Sequence, residues 1–269
     1  MHMNDSTFLT INTHRLEYRM IGPQPDQAPT IVMLHEGLGS VGLWNDFPDR
    51  LQQATGLGIF VYSRAGYGQS SPVALPRPLS YMHDEAHDVL PALLDAIGFG
   101  RGLLLGHSDG ASIAALYAGT HQDHRVGGLV LIAPHFFTED AGISAIEEAR
   151  KAYETTDLRA RLARWHADVD SAFLGWNGAW LDPAFRQWDI TEQLAYIRVP
   201  MLIVQGEGDQ YGTVKQIEAA QQECYCPVEV ALLPGAKHAP QREAPEVTLN
   251  VISDFVARVL CANDWDKAA

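Results

Sequence analysis

The chain has few of the features that would commit it to a membrane, a nucleic acid or a disulfide scaffold. No apolar run approaches the roughly 20 residues that cross a bilayer. Basic residues are scarce, 19 Lys and Arg against 33 Asp and Glu for a formal charge of −14. This balance, with no basic run interleaved with aromatics, argues against nucleic acid and anionic membrane surfaces as partners. There are only three cysteines, Cys224, Cys226 and Cys261. An odd number without metal-type spacing suits a reducing compartment and buried or idle thiols. The first residues, Met1-His2-Met3-Asn4-Asp5-Ser6, carry no basic stretch followed by an apolar one. The expectation is therefore a cytoplasmic globular protein with a small-molecule partner, and a homo-oligomer stays open. Internal repeats and low-complexity tracts are also missing.

What the 269 residues do contain is a strand-and-helix rhythm long enough for one large α/β domain with an insertion, or for two small domains. Residues 8–21 alternate polar and apolar around Asn12-Thr13, as an edge hairpin with one wet face does. Six short, continuous apolar runs follow: Thr30 to Leu34, Ile59 to Tyr62, Leu103 to Leu105, Leu129 to Ile132, Met201 to Val204 and Val228 to Leu233. Runs without alternation predict strands covered on both faces, hence a parallel sheet. Helical stripes lie between them. Ala86, Val89, Leu90, Leu93, Leu94 and Ile97 form one, with Pro91 set to kink or shorten its first turns. Val247, Val251, Ile252, Phe255, Val256, Val259 and Leu260 form the last. The predicted class is α/β, a doubly wound, mostly parallel sheet.

One connection breaks the rhythm. Residues 134–198 separate two strands by far more than the usual few positions. They carry Phe136, Phe137, Tyr153, Trp165, Phe173, Trp176, Trp180, Phe185 and Trp188. Ile143 to His166 reads as a helix whose Arg150, Lys151, Arg159, Arg161 and Arg164 face solvent. The expected division is a core domain of residues 1–133 and 199–269 with a helical cap, 134–198, over the carboxyl edge of the sheet. The alternative is an excursion packed away from any site.

The chemistry centres on Leu103-Leu104-Leu105-Gly106-His107-Ser108-Asp109-Gly110-Ala111. An apolar strand runs into Gly-x-Ser-x-Gly and straight on into a helix, the context that makes this pattern a nucleophile elbow. Gly106 and Gly110 would be small because the chain doubles back on itself there. The Asp109 N–H, at a helix N-terminus, points where an oxyanion would form. A serine hydroxyl needs a base, and the base an orienting carboxylate. Of eleven histidines, His238 follows the last strand, in a Pro-Gly loop at the same sheet edge as Ser108. His107 adjoins the serine but is expected on the far side of the bend. His83 and His87 have the wrong order for a zinc helix and read as a solvated helix start. His2, His14, His121, His124 and His166 have no suggestive neighbours. Asp209, in Gly206-Glu207-Gly208-Asp209, is the carboxylate of choice. Glu207, Glu139 and Asp140 remain alternatives. Catalytic order is then Ser108, Asp209, His238.

These stretches, together with Leu34-His35-Glu36-Gly37-Leu38-Gly39-Ser40, Trp44 and Tyr62-Ser63-Arg64-Ala65-Gly66-Tyr67-Gly68-Gln69-Ser70, resemble the α/β-hydrolase superfamily over essentially the whole chain. The resemblance implies that the Gly37 N–H partners that of Asp109 in an oxyanion hole. It implies a tight structural turn for Arg64 to Ser70. Two departures stand out: Glu36 where members commonly have glycine, and Asp109 where they have an apolar or amide residue. Either the two carboxylates select neutral or cationic substrates, or Asp109 caps its helix and Glu36 bonds backbone donors. The expected activity is hydrolysis of a carboxylic ester, lactone or thioester of a small, largely apolar substrate, with no metal and no organic cofactor. Glu36, Phe136, Phe137, Trp165, Trp176 and Trp180 are the expected substrate contacts. C–C bond or amide hydrolysis with the same residues, a cofactor-free oxygenase and a ligand receptor on this fold are the alternatives.

Overall fold

The computed structural model describes residues 7–262. Residues 1–6, including His2 and the stretch read for a signal, lie outside the described residues, as do 263–269. Eight strands form one sheet in the order β1-β2-β4-β3-β5-β6-β7-β8. The first two, β1 (Thr7–Ile11) and β2 (His14–Ile21), make the expected antiparallel hairpin, with Asn12 in the left-handed region at φ 53°. β2 then pairs antiparallel with β4 (Gly58–Tyr62). The remaining strands, β3 (Thr30–Leu34), β5 (Gly102–His107), β6 (Val126–Ile132), β7 (Met201–Gly206) and β8 (Val228–Leu233), run parallel to β4.

Side chains alternate across this sheet and divide the core in two. Ile31, Met33, Val61, Leu105, Val130 and Val204 face α1 (Phe47–Thr55) and α11 (Pro245–Ala262), meeting Phe47, Leu51, Ile252, Phe255, Val256 and Val259. Val32, Leu34, Phe60, Leu104, Leu131 and Ile203 face the other way, towards α3 (Leu90–Ala96) and α4 (Asp109–His121). Strands β3 to β7 are buried along their whole length, as apolar runs predict. β8 is not. It closes the sheet as an edge, and its Val230 and Leu232 are 37% and 38% exposed. Val247, placed in the last helical stripe, is likewise 51% exposed.

Pro91 acts on the turn before it. α2 (Tyr81–Asp84) is followed by a wide turn, Glu85–Val89, in which the Leu90 N–H reaches back five residues to the Glu85 carbonyl. A proline cannot donate a backbone hydrogen bond, and its ring crowds the carbonyl four residues earlier, so the turn opens before α3 begins.

Residues 134–198 hold α5 (Asp140–Thr155), α6 (Leu158–Leu162), α7 (Val169–Trp180), a 3-10 turn at Pro183–Gln187 and α8 (Thr191–Leu194). The single helix expected over Ile143 to His166 is therefore two. Thr156 breaks it in an extended conformation, its hydroxyl accepting the Leu158 N–H and donating to the Ala152 carbonyl. The five basic residues named for the solvated face are exposed. Among the described residues no helix is long and apolar enough to cross a membrane.

Candidate active site

The site begins where β5 ends. Ser108 sits at φ 53° and ψ −119°, between the last strand residue and the first residue of α4. Such a conformation is strained for a residue with a Cβ, and such strain gathers at functional sites. The glycines on either side explain how it is tolerated. A Cβ on Gly106 would lie 2.3 Å from the Gly110 carbonyl oxygen, and one on Gly110 would lie 2.1 Å from the Leu34 carbonyl oxygen. Helix α4 crosses back over its own strand and against the end of β3, and only glycine fits both crossings. The bend is pinned by the Ser108 N–H donating to Ile132 O at 2.9 Å.

Ser108, His238 and Asp209 come together from three strand ends. The Ser108 Oγ lies 3.0 Å from His238 Nε2, and His238 Nδ1 lies 2.9 and 3.0 Å from the two Asp209 oxygens. Gly206 lets β7 pass close under the His238 loop, since a Cβ there would meet Lys237 O at 2.3 Å. Asp209 also accepts the Tyr211 and Gly212 N–H groups. Burial opposes its ionisation. The hydrogen bond and charge of His238 and the Tyr211 amide outweigh burial and hold its carboxyl below the ordinary range. An ionised Asp209 requires the proton on His238 Nδ1, which leaves Nε2 as an acceptor facing the serine hydroxyl. An imidazole held this way can take the hydroxyl's proton.

The other carboxylates are engaged elsewhere. Glu139 accepts from the Thr213 amide and hydroxyl and from Gln216 at the start of α9 (Val214–Glu223). Asp140 pairs with Arg186, and Glu207 is exposed.

A cavity of about 320 Å³ opens above Ser108. Gly37, Asp109, Glu36, Trp176 and Trp180 are among the residues that line it. A Cβ on Gly37 would fall 2.1 Å from Trp176 Nε1, so the indole rests directly on that backbone. The insertion adds Ile146, Leu158 and Leu162. Phe136, Phe137 and Trp165, expected as substrate contacts, do not line the cavity. Phe136 is fully buried in the core, its N–H bonded to Gln216. Phe137 pairs with Asp189 in an isolated bridge, and Trp165 packs on Gly42.

The Asp109 side chain is engaged by Tyr81, and α4 has no side-chain cap. Asp109 is fully buried and accepts the Tyr81 hydroxyl at 2.5 Å, and Tyr81 in turn accepts the Trp180 indole N–H at 3.0 Å. Burial pushes its carboxyl up, against the pull of Arg64. Glu36 has an oxygen 3.5 Å from His107 Nδ1. Burial opposes its ionisation too, but the hydrogen bond and charge of His107 prevail and hold it well below the usual carboxylate range.

Several supporting residues lie where sequence reasoning did not look. His107, expected on the far side of the bend, packs beside His238, ring centroids 5.3 Å apart, and bonds its carbonyl oxygen at 2.7 Å. The Arg64 guanidinium donates to the His35 and Glu36 carbonyls and braces the loop that carries Gly37. His166 joins Gly68 N and Leu38 O, each at 3.0 Å. His135, three residues past β6, also lines the cavity. Its position after a parallel strand, the same rule that selected His238, was the available signal. Among the described residues, no group of three or more His, Cys, Asp or Glu side chains is arranged to hold a metal ion.

Residues 31–251 match the model of an alpha/beta hydrolase family. The chain belongs to this family. A 3-oxoadipate enol-lactonase of Acinetobacter baylyi is 27% identical over 255 residues, covering 87% of this chain and 91% of the relative. A 2-hydroxy-6-oxononadienedioate/2-hydroxy-6-oxononatrienedioate hydrolase of Pseudomonas putida is 34% identical over 230 residues, 73% and 76% of the two chains. The crystal structure of an enol-lactonase from Burkholderia xenovorans superposes with a TM-score of 0.74 at 19% identity, covering 93% of this chain and all of that one. As an alpha/beta hydrolase, the chain is a hydrolase enzyme whose relatives include a lactonase.

Proposed function

We propose that this alpha/beta hydrolase is a serine hydrolase of carboxylic esters, lactones or thioesters of small, largely apolar substrates. The observation that carries the reading is the unbroken Asp209–His238–Ser108 hydrogen-bond array, at 2.9 and 3.0 Å, in the wall of a largely apolar cavity. His238 Nε2 takes the Ser108 proton as Oγ attacks the substrate carbonyl. The N–H groups of Gly37 and Asp109 stabilise the tetrahedral oxyanion. His238 then returns the proton to the leaving oxygen or sulfur, and the bond to it breaks, leaving an acyl-serine. Water, deprotonated by the same imidazole, clears the acyl group and restores the hydroxyl. Asp209 fixes the tautomer throughout. Helices α5 to α7 serve as the cap, presenting Trp176 and Trp180 to the acyl or leaving group. No metal or organic cofactor enters these steps.

C–C bond hydrolysis is the second reading, supported by the Pseudomonas putida relative. Both readings are tested by a panel of esters, lactones and vinylogous diketones, with fluorophosphonate labelling of the wild type and Ser108→Ala. Ester or lactone turnover with Ser108-dependent labelling is expected. Turnover of the diketones alone would move the chain to the second reading, and labelling without any turnover would point to a ligand receptor.

A further inference from the structure

Four buried or partly buried histidines surround the elbow with their ring nitrogens engaged. His35 bonds Glu36 O and Arg64 N, His107 bonds His238 O and Gln241, His166 bonds Leu38 O and Gly68 N, and His238 bonds Asp209 and Ser108. His135 is the exception. It is 5% exposed, and among the described residues neither of its ring nitrogens has a hydrogen-bond partner, yet the ring lines the cavity over Ser108. Its backbone is firmly held. The His135 carbonyl accepts the Ser112 hydroxyl at 2.6 Å, and the next amide donates to Gln216 at 2.7 Å. The ring stands edge-on to Trp180, centroids 5.3 Å apart, and 5.5 Å from the His238 ring. Its Nδ1 and Cε1 lie along Gly212, where an added Cβ would come within 3.3 Å of Cε1.

Neither ring nitrogen is among the polar atoms sealed from solvent without a partner, so both are open to the cavity, where a substrate group can meet them. We propose that His135 is a specificity-determining residue of this site, hydrogen-bonding an uncharged polar group, a hydroxyl or keto oxygen, that the substrate carries close to its scissile carbonyl. The inference rests on the reading of Ser108 as the nucleophile. Chemistry selects an uncharged partner. Burial, and then the neighbouring His238, hold the His135 imidazole down to about 3, so at neutral pH it has no charge to offer a carboxylate. A neutral imidazole keeps one N–H to donate and one lone pair to accept, which matches a hydroxyl or a keto oxygen. His135 does not rival His238 as base, because the orienting carboxylate, Asp209, is spent on His238 Nδ1.

The test compares kcat/KM within matched pairs of substrates that swap a hydroxyl for a methyl group. One pair varies the acyl part, 4-nitrophenyl 3-hydroxybutanoate against 3-methylbutanoate. The other varies the leaving group, 2-hydroxyethyl against propyl butanoate. The wild type is expected to favour the hydroxyl member of at least one pair by about 10-fold or more, since the site's polar group is left unpaired by the other member. In His135→Phe the ratio should fall to near one, and His135→Gln, which keeps a donor and an acceptor, should restore part of it. A purely structural role for His135 would change both members equally and leave the ratio standing. A wild type with no preference in either pair, or a preference that survives in His135→Phe, would overturn the proposal. Should His135→Phe fail to fold, His135→Leu takes its place, and the wild-type ratios decide by themselves whether a preference exists. If no substrate is turned over and fluorophosphonate leaves Ser108 unlabelled, the hydrolase reading falls and takes this proposal with it. Labelled Ser108 with flat ratios removes the His135 assignment alone.

Discussion

Two regions of the molecule meet at the cavity, and they are built on different principles. The floor is made by loops at the ends of β5, β7 and β8, each a few residues long and anchored to a strand. The other wall is lined by side chains of α5, α6 and α7, whose segment also meets the core through backbone, at Gly142 against the Tyr211 carbonyl and at the Ala167 N–H bonded to Gly68 O. In the floor, backbone geometry dictates which residues can stand where: Gly106, Gly110 and Gly206 each sit where a Cβ would lie within 2.4 Å of another backbone atom. Among the cavity-lining residues of these helices, Ile146, Leu158, Leu162, Trp176 and Trp180, it is the side chain that meets the cavity. The floor should therefore respond to substitution in orders of magnitude and the other wall in small factors.

The largest effect is expected in the floor. Asp209→Asn leaves the geometry in place but favours the wrong His238 tautomer, and kcat should fall about 10⁴-fold in steady-state assays of the best ester. A loss under tenfold would deny Asp209 its orienting role. Next comes the contact between the two regions. Gly37→Ala drives a methyl group into the Trp176 indole and displaces the loop, and a shift of even about 1 Å can cost roughly 100-fold in kcat. The double variant with Trp176→Ala should recover part of that loss, since the clash partner is gone. Trp176→Ala alone should raise KM by about 10-fold through lost apolar contact, with kcat little changed. Trp165→Phe, in the same insertion but off the cavity, should stay within about twofold in both constants.

The contrast also explains what could be read from the chain beforehand. Ser108, His238 and Asp209 are legible because each follows within a few residues of an apolar run, and the parallel sheet brings such run-ends to one edge. Of the aromatics expected as substrate contacts, Trp176 and Trp180 line the cavity, whereas Phe136, Phe137 and Trp165 do not. Composition says that an insertion has an apolar surface without saying which neighbour each ring will choose. Phe136 goes to the core, and Trp165 goes to Gly42. The break at Thr156 was hidden for a related reason, since a helical stripe continues on both sides of it. β8 shows the limit for the sheet itself, because an edge strand and a central strand can carry the same apolar run. The partners of Arg64 and His107, and the cavity position of His135, are not legible in the chain, because the partners lie 28 to 131 positions away and the cavity is assembled from distant segments.

Acid sensitivity follows the histidines buried around the cavity, whichever region they come from. His35 and His135 are buried beneath and beside the cavity and held neutral, both lowered chiefly by burial. Their folded-state values lie below the unfolded value of about 6.5, so the stability tied to their neutral forms is complete above that pH. It is lost progressively as pH falls towards about 3, the His135 value. Asp209, also lowered, adds a loss only below about pH 4. Denaturant titrations should thus show stability declining already between pH 6.5 and 5, with a slope of up to about 1.4 kcal/mol per pH unit for each proton taken up. The slope should be shallower in His135→Gln, and an unchanged slope would contradict a neutral buried imidazole at that position.

The account stands on the Ser108 hydroxyl as the atom that bonds to substrate. Rapid quenching during turnover of a slow ester, followed by intact-mass and peptide analysis, tests this most directly. The mass of one acyl group on the peptide containing Ser108 is the predicted result, accumulating when His238-dependent deacylation is slow. Turnover that proceeds with Ser108 unmodified, and that persists in Ser108→Ala, would contradict it.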